Sequence, residues 1–246
     1  MEIKGSIALV TGASRGIGLA FARALLSHGA AKVYAGARRP QDITEPELEP
    51  LLLDVTDHRH IEAAAARASD ASIVINNAGI IAGPPLMSGS LDGARLEMEV
   101  NFLAPWAVSR AFAPVLAANG GGALVNMLSV TSFFTNPENG SYGASKAAEW
   151  SLTNGARIEL AGQGTLVVGV HAGFIDTEMV TELARGLPKL DPLAVVRQVF
   201  DAVEAGQIEV LAGERTRRIK SLLPDDHEKI YPAIQAAWDA GHPRAT

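Results

Sequence analysis

Tyr142 and Lys146 stand four residues apart in the 246-residue chain, so on a helix their side chains share one face. A phenol ionises near ~10 in water. An ammonium one turn away favours the phenolate and draws that ionisation toward neutrality, which makes the tyrosine a usable proton donor or acceptor. Gly143, Ala144, Ser145, Ala147 and Ala148 surround the pair and leave the helix face small enough for a flat ligand to lie against it. Ser129 precedes Tyr142 by thirteen positions, at the end of the apolar run Ala123–Leu128, where its hydroxyl can face the same cleft. Each piece also has an ordinary reading. Tyr and Lys fall at this spacing by chance, and serines often end strands in turns.

The elements that would position these groups start at Thr11-Gly12-Ala13-Ser14-Arg15-Gly16-Ile17-Gly18. The apolar run Ile7–Val10 before it reads as a buried strand, and Leu19, Ala20, Phe21, Ala24 and Leu25 after it recur at helical spacing. Glycines in such a strand-to-helix turn let the backbone approach a phosphate, while unpaired N–H groups and the helix dipole attract its charge. The spacing Gly-x-x-x-Gly-x-Gly differs from the commonest dinucleotide fingerprint. Taken alone, the turn is weak.

Apolar strands alternate with helical stretches along the whole chain. Strands are expected at Ile7–Val10, Lys32–Ala35, Leu51–Asp54, Ile73–Asn76, Ala123–Leu128, Leu166–Val170 and Ile208–Ala212. Helices are expected at Ile17–His28, His58–Ala68, Leu91–Asn119, Tyr142–Ala161 and Pro192–Ala205. The pattern predicts an α/β fold in which a doubly wound, mostly parallel sheet of about seven strands carries helices on both faces. With no linker or repeat, one domain over 1–246 is expected. Arg39–Pro50, with little periodicity, predicts no full crossover helix. Pro105, four residues after Asn101 within the third helical stretch, predicts a kink that frees the Asn101 carbonyl. That carbonyl either holds a water or is incidental.

Composition narrows the function. A net charge of −6 gives no reason to expect nucleic acid, and 48% hydrophobic residues support a large core. The absence of cysteine excludes thiol catalysis and cysteine-bound zinc. His58 and His60 at a helix start, and Asp225-Asp226-His227-Glu228, read as solvated polar residues, and no metal is expected. Glu2 and Lys4 interrupt the amino terminus and no apolar run approaches membrane-spanning length, so neither signal peptide nor membrane span is expected. A cytoplasmic location is compatible with these features.

Thr11–Gly18, Asn76-Asn77-Ala78-Gly79, Ser129 and Tyr142-Gly-Ala-Ser-Lys146 together resemble the short-chain dehydrogenase/reductase family, single-domain branch. The resemblance covers nearly the whole chain. It implies a Rossmann-type sheet of seven strands that binds a nicotinamide dinucleotide. It makes Tyr142 the acid/base, Lys146 the group that holds the ribose hydroxyls, Ser129 the partner of the substrate oxygen, and Asn101 a link in a water-borne proton relay. It implies that Gly12, Ser14, Arg15, Gly16, Ile17 and Gly18 cradle the phosphates. Asp54, with Val55 after it, resembles the residue that meets the adenine amino group. Asn76, Asn77, Ala78 and Gly79 pack strand four beside the cofactor, while Gly173, Ile175 and Thr177 sit near the nicotinamide carboxamide. His171-Ala172-Gly173 departs from the family's usual Pro-Gly there, and His171 is read as structural or solvent-facing rather than as an extra acid/base.

NAD-binding proteins of this fold place an acid about twenty residues past the glycine turn to grip the ribose diol. Here that stretch reads Tyr34-Ala35-Gly36-Ala37-Arg38-Arg39, without a carboxylate. Two guanidiniums, Arg15 and Arg38, with Arg39 as a lesser contact, would clamp a 2′-phosphate. NADP(H) is therefore the expected cofactor. The walls after strands four, five and six offer Ile80, Ile81, Leu86, Met87, Phe133, Phe134, Phe174, Met179, Val180 and Leu183, with a substrate loop near 173–191. They predict an uncharged, partly apolar carbonyl compound or the matching alcohol. The rival reading is a dinucleotide-binding sensor on the same fold without significant turnover. The resemblance also implies a homodimer or homotetramer built on the two long helices. The tail Leu222–Thr246 is expected to cover either a subunit or the pocket.

Overall fold

The computed structural model describes residues 1–82, 85–181 and 185–242. All seven apolar runs pair into one sheet: β1 (Ile7–Thr11), β2 (Lys32–Ala37), β3 (Glu49–Leu52), β4 (Ile73–Asn76), β5 (Ala123–Met127), β6 (Leu166–Ala172) and β7 (Glu209–Ala212). Their order is β3-β2-β1-β4-β5-β6-β7, and every neighbouring pair is parallel. Between and after them lie α1 (Gly16–Ser27), α2 (His58–Arg67), α3 (Leu91–Met98), α4 (Ala104–Ala118), α5 (Gly140–Glu159), α6 (Pro192–Glu204), α7 (Glu214–Leu222), α8 (Asp226–Lys229) and α9 (Tyr231–Gly241).

The period of two along each strand decides which layer a residue joins. Ala8 and Val10 of β1 pack with Phe21 and Leu25 of α1 and with Val195 and Val199 of α6. Leu9 packs with Ile61 and Ala64 of α2 and with Val108, Phe112 and Leu116 of α4. Burial on both faces is why the strands read as continuous apolar runs rather than alternating ones. The strand order reverses between β1 and β4, and an α/β sheet binds ligands at the carboxyl ends beside such a reversal.

Several expectations shift. The edge strand β3 spans Glu49–Leu52 rather than Leu51–Asp54, because an edge tolerates Pro50; Asp54 falls in the loop beyond. Only a short turn, Pro40–Asp42, fills the Arg39–Pro50 connection. The kink expected near Pro105 is a widened π turn over Glu99–Leu103, in which the Ala104 N–H reaches back five residues to the Glu99 carbonyl. Pro105 follows directly on that turn, where the changed hydrogen-bond register accommodates a residue without an N–H. By length and composition alone the continuous helix Leu91–Ala118 is long and apolar enough to cross a membrane, though Asp92, Arg95, Glu97, Glu99 and Arg110 interrupt it. It packs as a core helix, with Val108, Phe112 and Leu116 buried on the sheet. The tail adds α8 and α9. Ile230, Tyr231 and Ile234 pack on Phe133 and Phe134, so the described tail braces the loop after β5.

Candidate active site

Thr11 ends β1 and ties two loops together. Its hydroxyl accepts the N–H groups of Asn77 (2.9 Å) and Ala78 (3.0 Å), while Asn77 Nδ2 donates to the Thr11 carbonyl (2.9 Å). Above this staple, Gly12 and Gly16 hold φ of +67° and +57°, a region open at little cost only to glycine. A Cβ on Gly18 would lie 2.2 Å from the Gly12 carbonyl oxygen, so α1 can approach the turn only with glycine there. Arg15 caps α1 without a side-chain hydrogen bond to its first turn, and those N–H groups remain available to an anion. The cradle fits a phosphate.

From it a cavity of about 400 Å³ runs along the carboxyl ends of the strands, within the size range of ligand sites, about 300–1,000 Å³. Gly12, Ser14, Arg15, Gly16, Ile17, Gly18, Arg38, Asp54, Val55, Asn77, Ala78 and Gly79 line it, together with Ser129, Tyr142, Lys146, Gly173, Ile175 and Thr177. Asp54 is held by Thr56, whose N–H and hydroxyl both donate to Oδ1 (3.0 and 2.8 Å). Arg15 pairs with Glu178 at 3.0 Å, both largely exposed. Arg39 does not line the cavity; its guanidinium turns to Asp42 at 2.8 Å.

Ser129 sits where β5 gives way to a tight turn. Its Oγ accepts the Thr131 N–H (3.2 Å) and the Thr131 hydroxyl (2.9 Å), which leaves its own hydrogen to donate. Tyr142 and Lys146 lie one turn apart on α5, as the spacing required. Lys146 is almost wholly buried, and its Nζ donates to the Met127 carbonyl (2.8 Å) and to Glu149 Oε2 (2.7 Å). Burial alone would favour the neutral amine, but the attraction of Glu149, with that of Tyr142, outweighs it and holds the ammonium above its ordinary pKa. Burial acts on Glu149 in the opposite sense and raises it to about 7 in spite of Lys146.

The Asn101 side chain holds structure together. Its amide is fully buried, accepts the Ile80 N–H (2.9 Å), and donates to the Ile80 carbonyl (2.9 Å) and Ser145 Oγ (3.0 Å). It braces the loop after β4 against α5 and does not line the cavity. Asn76 also turns away: its Nδ2 donates to Asn126 Oδ1 (2.9 Å) and Ser109 Oγ (3.2 Å), tying β4 to β5 and α4. His171 takes the structural place ordinary for a histidine at a strand end. It is fully buried, stacks on Phe133 at 4.0 Å, and meets Ser132 Oγ through Nδ1 at 2.7 Å. Burial lowers it to about 4, so it stays neutral at working pH and outside the cavity.

Ile80, Ile81, Phe134, Phe174, Met179 and Val180 line the cavity as expected. Phe133 packs on His171 instead, Leu86 lies against Gly140, and Met87 points to solvent. Leu183 lies outside the described residues. Arg215 in the wall, over the Phe174 ring, and Glu149 beneath Lys146 were not picked out from sequence.

A model of the short chain dehydrogenase family matches residues 6–187. The chain belongs to that family. A crystal structure of a short chain dehydrogenase from Burkholderia cenocepacia J2315 in complex with NADP is 38% identical, with a TM-score of 0.89 over 95% of this chain and 99% of the other. The oxidoreductase UcpA of Escherichia coli (strain K12) is 30% identical over 98% of this chain and 95% of its own. The short chain dehydrogenase mpl6 of Monascus purpureus is 33% identical over 73% and 68%. The fold is thus that of the short-chain dehydrogenase oxidoreductases, and Tyr142, Lys146 and Ser129 stand together in the cleft that the family reading of the sequence required.

Proposed function

We propose that this short-chain dehydrogenase is an NADP(H)-dependent oxidoreductase that reduces an uncharged, partly apolar carbonyl compound or oxidises the matching alcohol. The observation that carries the cofactor half of this reading is Arg38. It follows directly on β2, lines the cavity, and stands where a diol-gripping acid would have to be. Arg15 supplies the second guanidinium from the glycine turn, and the NADP complex of the Burkholderia relative agrees. Asp42, the nearest acid past β2 in the chain, is occupied by Arg39. Arg39 therefore falls to the outer rim.

When bound, the nicotinamide supplies or takes the hydride. The rest falls to the chain. Ser129 Oγ donates to the substrate oxygen and fixes its position. The Tyr142 hydroxyl gives its proton to that oxygen as the carbonyl carbon gains the hydride, and water returns the proton to the phenolate. Lys146 stands beside the phenolate as it forms. Asn101 holds the Ile80 loop and, through Ser145, the first turn of α5, so the tyrosine keeps its place. Ile80, Phe134, Phe174 and Met179 make the substrate end apolar.

The test compares kcat/KM for NADPH and NADH. The wild type is expected to prefer NADPH, and Arg38→Ala to lose about tenfold or more of that preference, since a charge-assisted contact is worth about 1.5–3 kcal/mol. A wild type that prefers NADH, or a ratio unchanged in Arg38→Ala, refutes it. For assembly, Leu96, Leu103, Trp106 and Ile158 stand exposed on α3, the π turn, α4 and α5, and we propose that face as the contact in a homodimer or homotetramer. Light scattering should show a smaller particle for Trp106→Glu than for the wild type; equal sizes exclude it.

A further inference from the structure

Glu149 occupies a position where the wheel of α5 offers no solvent. It lies three residues after Lys146, is 1% exposed, and sits on the side of the ammonium that faces the interior. Two of the three Lys146 donors are taken, by Glu149 Oε2 at 2.7 Å and the Met127 carbonyl at 2.8 Å. A carboxylate with so little access to water would not be kept for surface solubility, and a buried ion pair is a poor source of net stability compared with apolar packing. It lies under the one lysine that borders the proton-transferring tyrosine.

We propose that Glu149 is a positioning residue for the proton transfer: it anchors the Lys146 ammonium against β5 and offsets part of its charge, and so sets the pH at which the Tyr142–Lys146 pair gives up its first proton. This rests on the reading that Tyr142 transfers the proton. The physical sign is fixed. A negative charge beside the pair disfavours losing a proton from it, whichever of the two groups the proton leaves, because the two titrate as one coupled system. Glu149 thus keeps the pair in the protonated form that carbonyl reduction needs.

The other groups around the pair leave this assignment intact. Among the described residues, the charged or titratable groups acting on Lys146 are Glu149 and Tyr142, and the one acting on Glu149 is Lys146. From α3 comes Glu97, whose Oε1 accepts the Ala82 N–H, and from the π turn Glu99. From β6 comes His171, neutral and stacked on Phe133. The segment before α5 offers the hydroxyls of Ser129, Thr131 and Ser132. Burial brings the Glu149 ionisation to about 7, so its charge is present from neutral pH upward.

The experiment titrates the full chain by the near-ultraviolet absorbance of phenolate. Subtracting the matching Tyr142→Phe protein removes Tyr34 and Tyr231. In Glu149→Gln the Tyr142 phenolate should appear about one pH unit earlier than in the wild type, the size expected for a neighbouring charge. In Glu149→Asp, which keeps the charge but withdraws it by one methylene, the shift should have the same sign and be smaller. The alkaline limb of kcat/KM for reduction should move with it. A folded Glu149→Gln variant that titrates with the wild type overturns the proposal, and so does failure of both variants to fold, which would make the pair structural. The absorbance readout does not need turnover. It therefore stands or falls separately from the proposed reaction, which fails if Tyr142→Phe keeps wild-type activity.

Discussion

Two buried polar nests lie at the carboxyl ends of β5 and β6, and only one of them reaches the cleft. Lys146 and Glu149 form the first, at 4% and 1% exposure, with the ammonium lining the cavity. His171 and Ser132 form the second, joined at 2.7 Å and flanked by Phe133 and Trp150. Both contain a titratable group pushed well away from its ordinary pKa by burial. Burial and perturbed ionisation are therefore shared by a site and by a packing motif. What separates them is an outlet to the cavity: the first nest touches a neighbour that can meet a substrate, while the second has Phe133 and Trp150 on its imidazole ring and Glu209 3.6 Å from Nε2, and neither His171 nor Ser132 lines the cavity.

The largest expected effect tests the outlet directly. Tyr142→Phe removes one hydroxyl and keeps the ring, so turnover should fall by about 10²–10⁴-fold while cofactor binding, followed by fluorescence, persists. A fully active variant would place both nests in the same structural class. The smaller effect comes from the closed nest. His171→Leu should leave kcat/KM and its pH profile in place and lower stability at neutral pH by about 1 kcal/mol, the loss of one hydrogen bond. A collapse of turnover in a folded His171→Leu protein would erase the distinction.

The same variant sharpens the comparison through pH. Glu149 is raised to about 7, so its contribution to stability is complete below its unfolded value and is lost as pH rises through 7. His171 is lowered to about 4, so its contribution is complete above its unfolded value and is lost as pH falls through 4. Between about 4.5 and 6.5 the two slopes oppose each other. Removing the histidine leaves the Glu149 slope, and chemical denaturation across that window should show His171→Leu losing stability relative to the wild type as pH rises.

Much of this was legible in the sequence because it is local. The glycine turn, the strand runs and the Tyr142–Lys146 spacing each follow from a period or a steric rule within a few residues. Glu149 was not legible. A single glutamate in a helix ordinarily reads as a solvated side chain, and only the packing of α5 on β5 and β6 buries it. The Tyr142–Lys146 spacing therefore reveals the ammonium beside the tyrosine and not the carboxylate behind it. Asn76 and Asn101 were expected at the cleft, but neither lines the cavity, because the direction of each amide depends on Asn126, Ser109 and Ser145, partners distant in the chain. The helices α8 and α9 follow charged and proline-containing stretches with little periodicity, and what holds them is the distant Phe133–Phe134 loop. Leu86 and Met87 carried the right polarity for a wall and the wrong position.

The Thr11 hydroxyl has a consequence for how tightly a ligand can be held. Because it joins the ends of β1 and β4 through Asn77 and Ala78, the floor of the cleft is already ordered before anything binds. Association loses affinity to whatever must be immobilised, and here the backbone of the cradle contributes nothing to that loss. What remains to be ordered is side chain: in the proposed contact with the cofactor Arg15 would leave Glu178, an exposed pair worth about 1 kcal/mol at most. The entropy cost of recognition is thus concentrated in the long cationic arms that reach over a rigid seat.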